Sequence, residues 1–197
     1  MPEAGYEPPA RRNGYVTFGS FNNFAKVTDE MLLLWRGILE SVRGSKLVIK
    51  GKIASIDSGI HFAKKRLSML NYDLRRVEFR PYSPDYLEQY RDIDIALDTA
   101  PYNGGLTTCE ALYMGVPVIS LRGRTHGARF GASILTNAGV RELVAENDIN
   151  YVRRAVQLAG APKLLEAYHM GLRANMKRSP LMDAQGYMYE LESAYRE

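Results

Sequence analysis

Apolar runs alternate with amphipathic stretches along nearly the whole chain. Tyr15–Phe21 (YVTFGSF) is rich in β-formers, and short blocks of the same kind recur at Lys46–Lys50, Arg76–Tyr82, Ile93–Thr99, Pro117–Leu121 and Glu142–Ala145. Bounded by Gly, Pro and polar turns, such blocks predict buried strands. Between them the apolar positions fall at helical spacing. Met31, Leu32, Leu34, Trp35, Ile38 and Leu39 form one broad face behind Thr28, a capping residue, and Gly44 closes that helix. Helices are predicted likewise over Ile60–Leu70, Thr107–Met114, Ala128–Ala138, Ile149–Leu158, Pro162–Lys177 and Gln185–Arg196. Ser83–Arg91, with Ser at the N-cap and Pro at the first helical position, predicts one more.

Strand and helix alternating about six times over is the signature of parallel βαβ units. The predicted class is α/β: an open, doubly wound, Rossmann-like parallel sheet. Residues 15–197 form this lobe, including its C-terminal helices. Residues 1–14 read as a linker, because Pro2, Pro8 and Pro9 with Gly5 and Gly14 oppose regular structure. A linker at the start suggests a piece of a longer protein. The last helix carries Tyr187, Met188, Leu191 and Tyr195 on one face. That face either packs on the lobe's own sheet or stands open.

Composition narrows the function classes. The 197 residues are 46% hydrophobic and 24% charged, which suits one globular domain. No apolar run approaches the roughly 20 residues that span a bilayer. The first residues lack the apolar core of a signal peptide, so the cytoplasm is the expected compartment. A single cysteine, Cys109, excludes an internal disulfide and a Cys-rich zinc site. His61, His126 and His169 lack metal-ligand spacing, and His61 and His169 are expected on helix surfaces. Net charge is +4, without a dense basic block interleaved with aromatics. That favours an anionic small ligand over nucleic acid. A Ser–His–Asp order and a G-x-S-x-G elbow are both missing.

Ligands of such sheets bind beyond the carboxyl ends of the strands. The loops after Phe21, Lys50, Tyr82, Thr99 and Leu121 are therefore the ones to read. The richest runs from Asp98 through Gly104, Gly105, Leu106, Thr107 and Thr108 to Glu110. Glycines permit close backbone approach, and free N–H groups at a helix start with hydroxyls beside them suit a diphosphate. Glu110, one turn in, is placed to accept from a ribose diol. The plainer reading is a Gly-containing turn and a Thr-capped helix. It is neither a Walker A loop nor G-x-G-x-x-G. Lys26, after the first strand, is a compact cation for phosphates or a solvated lysine. Arg122, Arg124 and His126, in the run Arg122–Arg129, precede another helix and suit an anion or a solvated loop.

The runs GSFNNFAKV, IALDTAPYNGGLTTCEALYMGVPVISL and HGARFGASILTNAGV resemble the C-terminal catalytic lobe of the O-linked N-acetylglucosamine transferase and SPINDLY family, glycosyltransferase family 41. The resemblance covers the chain from about Tyr15 to its end. It implies the second, nucleotide-sugar-holding lobe of a two-lobed GT-B fold. Lys26 then matches the lysine on the donor diphosphate, with Asn23 a polar position beside it. Thr107 matches a phosphate-binding threonine, and Glu110 the acidic residue on the ribose. Ser83 falls near the backbone position that reads the base, and Tyr86 where many members have a histidine. His126 and Arg129 match a loop facing the donor. Leu106 replaces a common threonine, and Gly105 stands where animal members carry a histidine.

The resemblance further implies transfer of N-acetylglucosamine from UDP-N-acetylglucosamine to Ser or Thr hydroxyls of a protein acceptor, with inversion. No metal or other cofactor is expected. The family's N-terminal lobe and tetratricopeptide repeats are not in this sequence, so the lobe alone is expected to bind nucleotide and do little chemistry. Three alternatives stay open: a GDP-fucose-dependent O-fucosyltransferase of SPINDLY type, a non-catalytic nucleotide-binding module, and a sugar-nucleotide epimerase.

Overall fold

In the computed structural model, residues 6–196 are described. Six strands form one sheet: β1 (Thr17–Ser20), β2 (Lys46–Lys50), β3 (Val77–Arg80), β4 (Ile95–Leu97), β5 (Val118–Leu121) and β6 (Val144–Ala145). Their order is β3-β2-β1-β4-β5-β6, and every pairing is parallel. This is the doubly wound, Rossmann-like arrangement, with the order reversing between β1 and β4. The crevice outside the carboxyl ends of those two strands is where such sheets bind ligands.

The helices are α1 (Pro9–Asn13), α2 (Asp29–Ser41), α3 (Asp57–Met69), α4 (Leu106–Tyr113), α5 (Phe130–Asn137), α6 (Asp148–Ala159), α7 (Pro162–Arg178) and α8 (Ala184–Ala194). Thr28 caps α2 as its sequence predicts, its Oγ accepting from Met31 N at 3.3 Å. α2 packs beside α6, and α4 beside α7. The core between helices and sheet holds Phe18, Trp35, Leu47, Ile95, Ile119 and Tyr151, all nearly inaccessible. Inside it Trp35 Nε1 donates to Tyr151 OH at 3.1 Å, and Tyr151 OH donates to Asp98 O at 2.8 Å. A polar chain thus fixes two helices to the end of β4.

Three local expectations are corrected. First, the segment expected to be a linker contains α1, which starts at Pro9, where a missing N–H costs nothing. The Asp94 carboxylate holds this segment, accepting from Ala10 N at 2.8 Å and from Thr17 N at 2.7 Å. The linker's first five residues lie outside the described ones. Second, Ser83–Arg91 is not an α-helix. Its bonds are of the tighter i→i−3 kind (Glu88 N to Asp85 O, Gln89 N to Tyr86 O), leading into a 3₁₀ turn at Glu88–Asp92. The Ser83 hydroxyl accepts from Lys50 and Gln89 side chains instead of capping. Third, His169 is not on a surface; it is 1% exposed on α7, with Nε2 on Asp94 O at 2.9 Å.

α8 leaves its apolar face open: Tyr187, Met188 and Tyr195 are exposed, and none of its described residues is buried.

His169 makes stability depend on pH. Because Nε2 donates to a carbonyl, the buried Nδ1 is a bare lone pair with no partner among the described residues. Burial lowers the imidazole pKa from 6.5 to about 4. The unfolded chain therefore takes up this proton first, and stability is lost as pH falls from about 6.5 towards 4. Asp94 and Asp98, each pushed up to about 6 by burial, act in the opposite sense over the same range. Comparison with His169→Gln isolates the histidine. Urea unfolding is expected to show the advantage of the native protein over this variant shrinking by roughly 3 kcal/mol between neutral and acidic pH. A constant difference would refute the assignment.

Candidate functional site

The site forms where β1 and β4 end side by side. A 3₁₀ turn, Phe24–Lys26, follows β1, and the glycine turn before α4 follows β4. Asp98 ties them together from below. It is 1% exposed, and its carboxylate accepts from Gly104 N at 2.7 Å, Thr99 N at 2.8 Å, Ser120 Oγ at 2.6 Å and Asn22 Nδ2 at 3.4 Å. Burial pushes this carboxyl up to about 6 against those hydrogen bonds and Lys26, which pull it down. Asn22 is the bridge, since its Oδ1 accepts from Thr107 Oγ1 at 2.9 Å. One buried carboxylate and one buried amide therefore set both loops.

Above this base lies the predicted cation. Lys26 Nζ is 3.2 Å from Asn103 O, which it donates to, and 4.3 Å from the Tyr102 ring centroid. Its ammonium thus sits at the glycine turn, although Lys26 is 77 residues away in sequence. Asn103 is locked in turn, with Nδ2 donating to Thr99 O at 2.7 Å. Beyond lies the start of α4, where Thr108 N and Cys109 N both donate to Gly105 O at 3.1 Å and the amides of Leu106 and Thr107 precede the first intrahelical acceptor.

The two threonines differ. Thr107 is half-buried and linked to Asn22, at the mouth of the site. Thr108 is buried, and its hydroxyl donates to Gly104 O at 3.1 Å, so it braces the turn. The two glycines differ as well. A Cβ on Gly104 would lie 2.6 Å from Thr107 Oγ1 and 2.7 Å from Thr108 Oγ1, whereas one on Gly105 would meet nothing within 4 Å. Gly104→Ala is thus expected to displace both hydroxyls and lower thermal stability. Gly105→Ala is expected to leave stability within about 0.5 kcal/mol of native. Thermal denaturation of the two variants checks this, and equal effects would contradict it.

A second group flanks the first. Tyr86 OH donates to Glu110 Oε1, which leaves the carboxylate's other oxygen open as an acceptor. Tyr90 OH donates to Thr107 O at 3.2 Å, fastening the loop after β3 to the start of α4. Ser83 lies in this loop, held by Lys50 and Gln89. The structure therefore brings Lys26, Gly104, Gly105 and Thr107 to one rim with Tyr86 and Glu110 beside it, while the Ser83 hydroxyl is engaged by Lys50 and Gln89 in the loop that carries Tyr86.

Other predicted residues stand further off. Asn23 is exposed, and its side chain caps the 3₁₀ turn by accepting from Ala25 N at 3.1 Å. The exposed His126 ring packs edge-on against Phe130, 4.9 Å away, and Phe130 against Tyr102 at 6.1 Å. Arg129 joins Arg122 and Arg141 in a separate cleft of about 320 Å³. Leu106 is 74% exposed at the helix start, so its side chain offers no hydrogen bond there. Sequence reasoning missed Asn22, Asn103, Ser120, Lys50 and Gln89 as parts of the site. Asn22, Asn103 and Ser120 lie in the runs that carry the resemblance, which was the available signal, while Lys50 and Gln89 carry none.

Comparison with known proteins gives this geometry a family. The profile of glycosyl transferase family 41 matches residues 6–191. A Petunia hybrida protein described as a probable UDP-N-acetylglucosamine–peptide N-acetylglucosaminyltransferase SPINDLY is 43% identical over 200 residues, covering 99% of this chain and 22% of that one. The chain thus spans about a fifth of the length of the curated relatives it matches. A mutant Thermobaculum terrenum O-GlcNAc transferase superposes with a TM-score of 0.86 at 32% identity, over 100% of this chain and 38% of that one. WaaG, a glycosyltransferase of lipopolysaccharide biosynthesis, shares the fold with a TM-score of 0.66 at 16% identity, over 93% of this chain and 49% of its own. Among the described residues, no helix is long and apolar enough to cross a membrane. With this sheet order, and with the family profile running through both loops of the rim, the chain belongs to glycosyltransferase family 41 as a Rossmann-like lobe of the GT-B fold.

Proposed function

We propose that this chain is the donor-binding lobe of a protein O-glycosyltransferase. It holds UDP-N-acetylglucosamine for inverting transfer of the sugar to a Ser or Thr hydroxyl of a protein acceptor. The observation that carries this is the convergence of the Lys26 ammonium, the Thr107 hydroxyl and the first amides of α4 at the reversal of strand order. The relatives' descriptions as UDP-N-acetylglucosamine–peptide transferases support the donor and acceptor classes. A first lobe outside this chain closes the cleft and presents the acceptor.

In the reaction an acceptor oxygen attacks the anomeric carbon from the face opposite the nucleotide. The bond to the diphosphate oxygen breaks, and the acceptor's proton leaves to a base. Charge grows on the departing diphosphate. Donors aimed at that charge stabilise the transition state more than the ground state. Lys26 and the first amides of α4 are those donors, and the Thr107 hydroxyl joins them by turning its one hydrogen from Asn22 Oδ1 to the diphosphate; a divalent metal is not required for this role. Glu110 accepts from the ribose diol, and Tyr86 orients Glu110 and offers its ring to the base.

Calorimetric titration with UDP, GDP and their sugars tests this. UDP and UDP-N-acetylglucosamine are expected to bind most tightly. Preference for GDP would shift the donor to GDP-fucose, and failure of every nucleotide to bind would end the proposal. Tight binding without turnover in a protein carrying both lobes would make this a non-catalytic module.

A further inference from the structure

The cleft of Arg122, Arg129 and Arg141 lies at the end of the sheet, beside β6, which pairs with β5 alone. None of Lys26, Thr107 and Glu110 lines it. The buried Val144 of β6 and the half-buried Ala132 of α5 form its base. The arginines stand exposed at its margin and come from three elements: the residue after β5, the N-cap of α5 and the turn before β6. One carboxylate lines the cleft with them, Glu146, whose Oε1 is 3.5 Å from Arg122 Nη1. Arg129 Nε reaches only a carbonyl, Gly123 O, at 3.5 Å. Among the described residues, neither Arg129 nor Arg141 has a carboxylate at ion-pair distance. The fold thus gathers like charges around an opening and leaves them largely unneutralised, a repulsion that an incoming anion relieves.

We propose that this cleft is a docking site for an acidic stretch of a protein partner. Carboxylates of the partner meet the guanidinium groups at the margin, and an apolar side chain between them rests on Ala132 and Val144. A guanidinium fork matches a carboxylate with two parallel hydrogen bonds. The apolar base argues against a free oxyanion such as phosphate, which would find no donor beneath it. Nucleic acid is disfavoured because no aromatic ring lines the cleft to stack on a base. A small molecule needs a more enclosed pocket than one whose arginines all stand in solvent. The site shares no residue with the rim, so it does not depend on reading that rim as a nucleotide site.

Fluorescence anisotropy of the protein with a labelled Glu-Glu-Leu-Glu-Glu peptide, and with its Gln-Gln-Leu-Gln-Gln counterpart, tests the inference. The acidic peptide is expected to bind about 10-fold more tightly at low salt and to lose that advantage at high salt. Arg129→Ala combined with Arg141→Ala should lower its affinity about 10-fold. Lys64→Ala combined with Lys65→Ala removes the same charge from exposed positions on α3, which leads to β3 at the opposite end of the sheet. That pair should change the affinity less than about 2-fold, because charges beyond a Debye length are screened. Equal losses in the two double variants would show attraction by net charge alone and overturn the inference, as would equal binding of the two peptides. Displacement of the peptide by UDP would place it on the rim, with the same consequence. Displacement by an equal concentration of inorganic phosphate would assign a free oxyanion instead. Tighter binding of an oligothymidylate, lost in the arginine variant, would assign nucleic acid. Either of these results also overturns the docking site.

Discussion

Lys26→Ala is expected to lower the turnover of a protein carrying both lobes by about 10²–10³-fold, the usual cost of one preorganised donor to a developing anion. The lysine reaches the glycine turn across the chain crossover and donates to Asn103 O at 3.2 Å. Its ammonium also faces the Tyr102 ring at 4.3 Å. These contacts hold the charge in place before any nucleotide arrives, so little reorganisation accompanies bond breaking. Lys26→Arg keeps the charge but replaces a compact ammonium with a planar fork, so partial recovery is expected. Steady-state kinetics of sugar transfer, with UDP affinity measured alongside, decide the matter. A fall in kcat larger than the loss in affinity marks a group that acts mainly in the transition state. Unchanged turnover in Lys26→Ala would remove the lysine from the mechanism.

Asp98→Ala is expected to cost about 3–5 kcal/mol of stability, because each buried donor left unsatisfied costs about 1–3 kcal/mol. Four donors converge on this carboxylate, and two of them, Gly104 N and Asn22 Nδ2, shape the site directly. UDP affinity should fall with stability, since Thr107 is held through Asn22. Asp98→Asn separates geometry from charge. An amide oxygen can still accept from the Thr99 and Gly104 amides, while the new NH₂ can donate to Ser120 Oγ by reversing that bond. The Asn variant is therefore expected to lose only about 1–2 kcal/mol. Urea unfolding of both variants checks the order. A loss under about 1 kcal/mol for Ala would show that the loops hold their shape without the carboxylate. Gly131 reports the same crowding from another side: a Cβ there would lie 1.9 Å from Ser120 Oγ and 2.6 Å from Asp98 Oδ2.

Much of the fold was legible along the chain. Parallel strands covered on both faces must be short apolar runs, and Lys46–Lys50 reads as one and is one. The strands expected at Arg76–Tyr82 and Ile93–Thr99 are shorter, at Val77–Arg80 and Ile95–Leu97, because their C-terminal ends already turn into the rim, while Arg76 ends a 3₁₀ turn and the Asp94 carboxylate turns to Ala10 and Thr17. The helix at Asp29–Ser41 was visible from its cap and apolar face, both local features. The loop Gly104–Glu110 stood out because glycines, threonines and a carboxylate adjoin in sequence. Family membership was legible for a similar reason, since long ordered runs such as PYNGG and TTCE carry it.

The partners of those residues were not legible. His169 and Ser83 each have an ordinary local pattern, a polar residue in an amphipathic helix and a Ser-Pro helix start. What overrides that pattern comes from distant residues: Asp94 O for the histidine, and Lys50 for the serine. Sequence by itself determined that this chain would form alternating strands and helices, and which loops would end the strands, because periodicity and turn chemistry act over neighbouring residues. Only the tertiary structure decided that Lys26 meets Asn103 and that Asn22 joins Asp98 to Thr107. Those are meetings of residues many positions apart. They depend on strand order and on the near-complete burial of Asp98, where hydrogen-bonding groups must find one another because water is excluded.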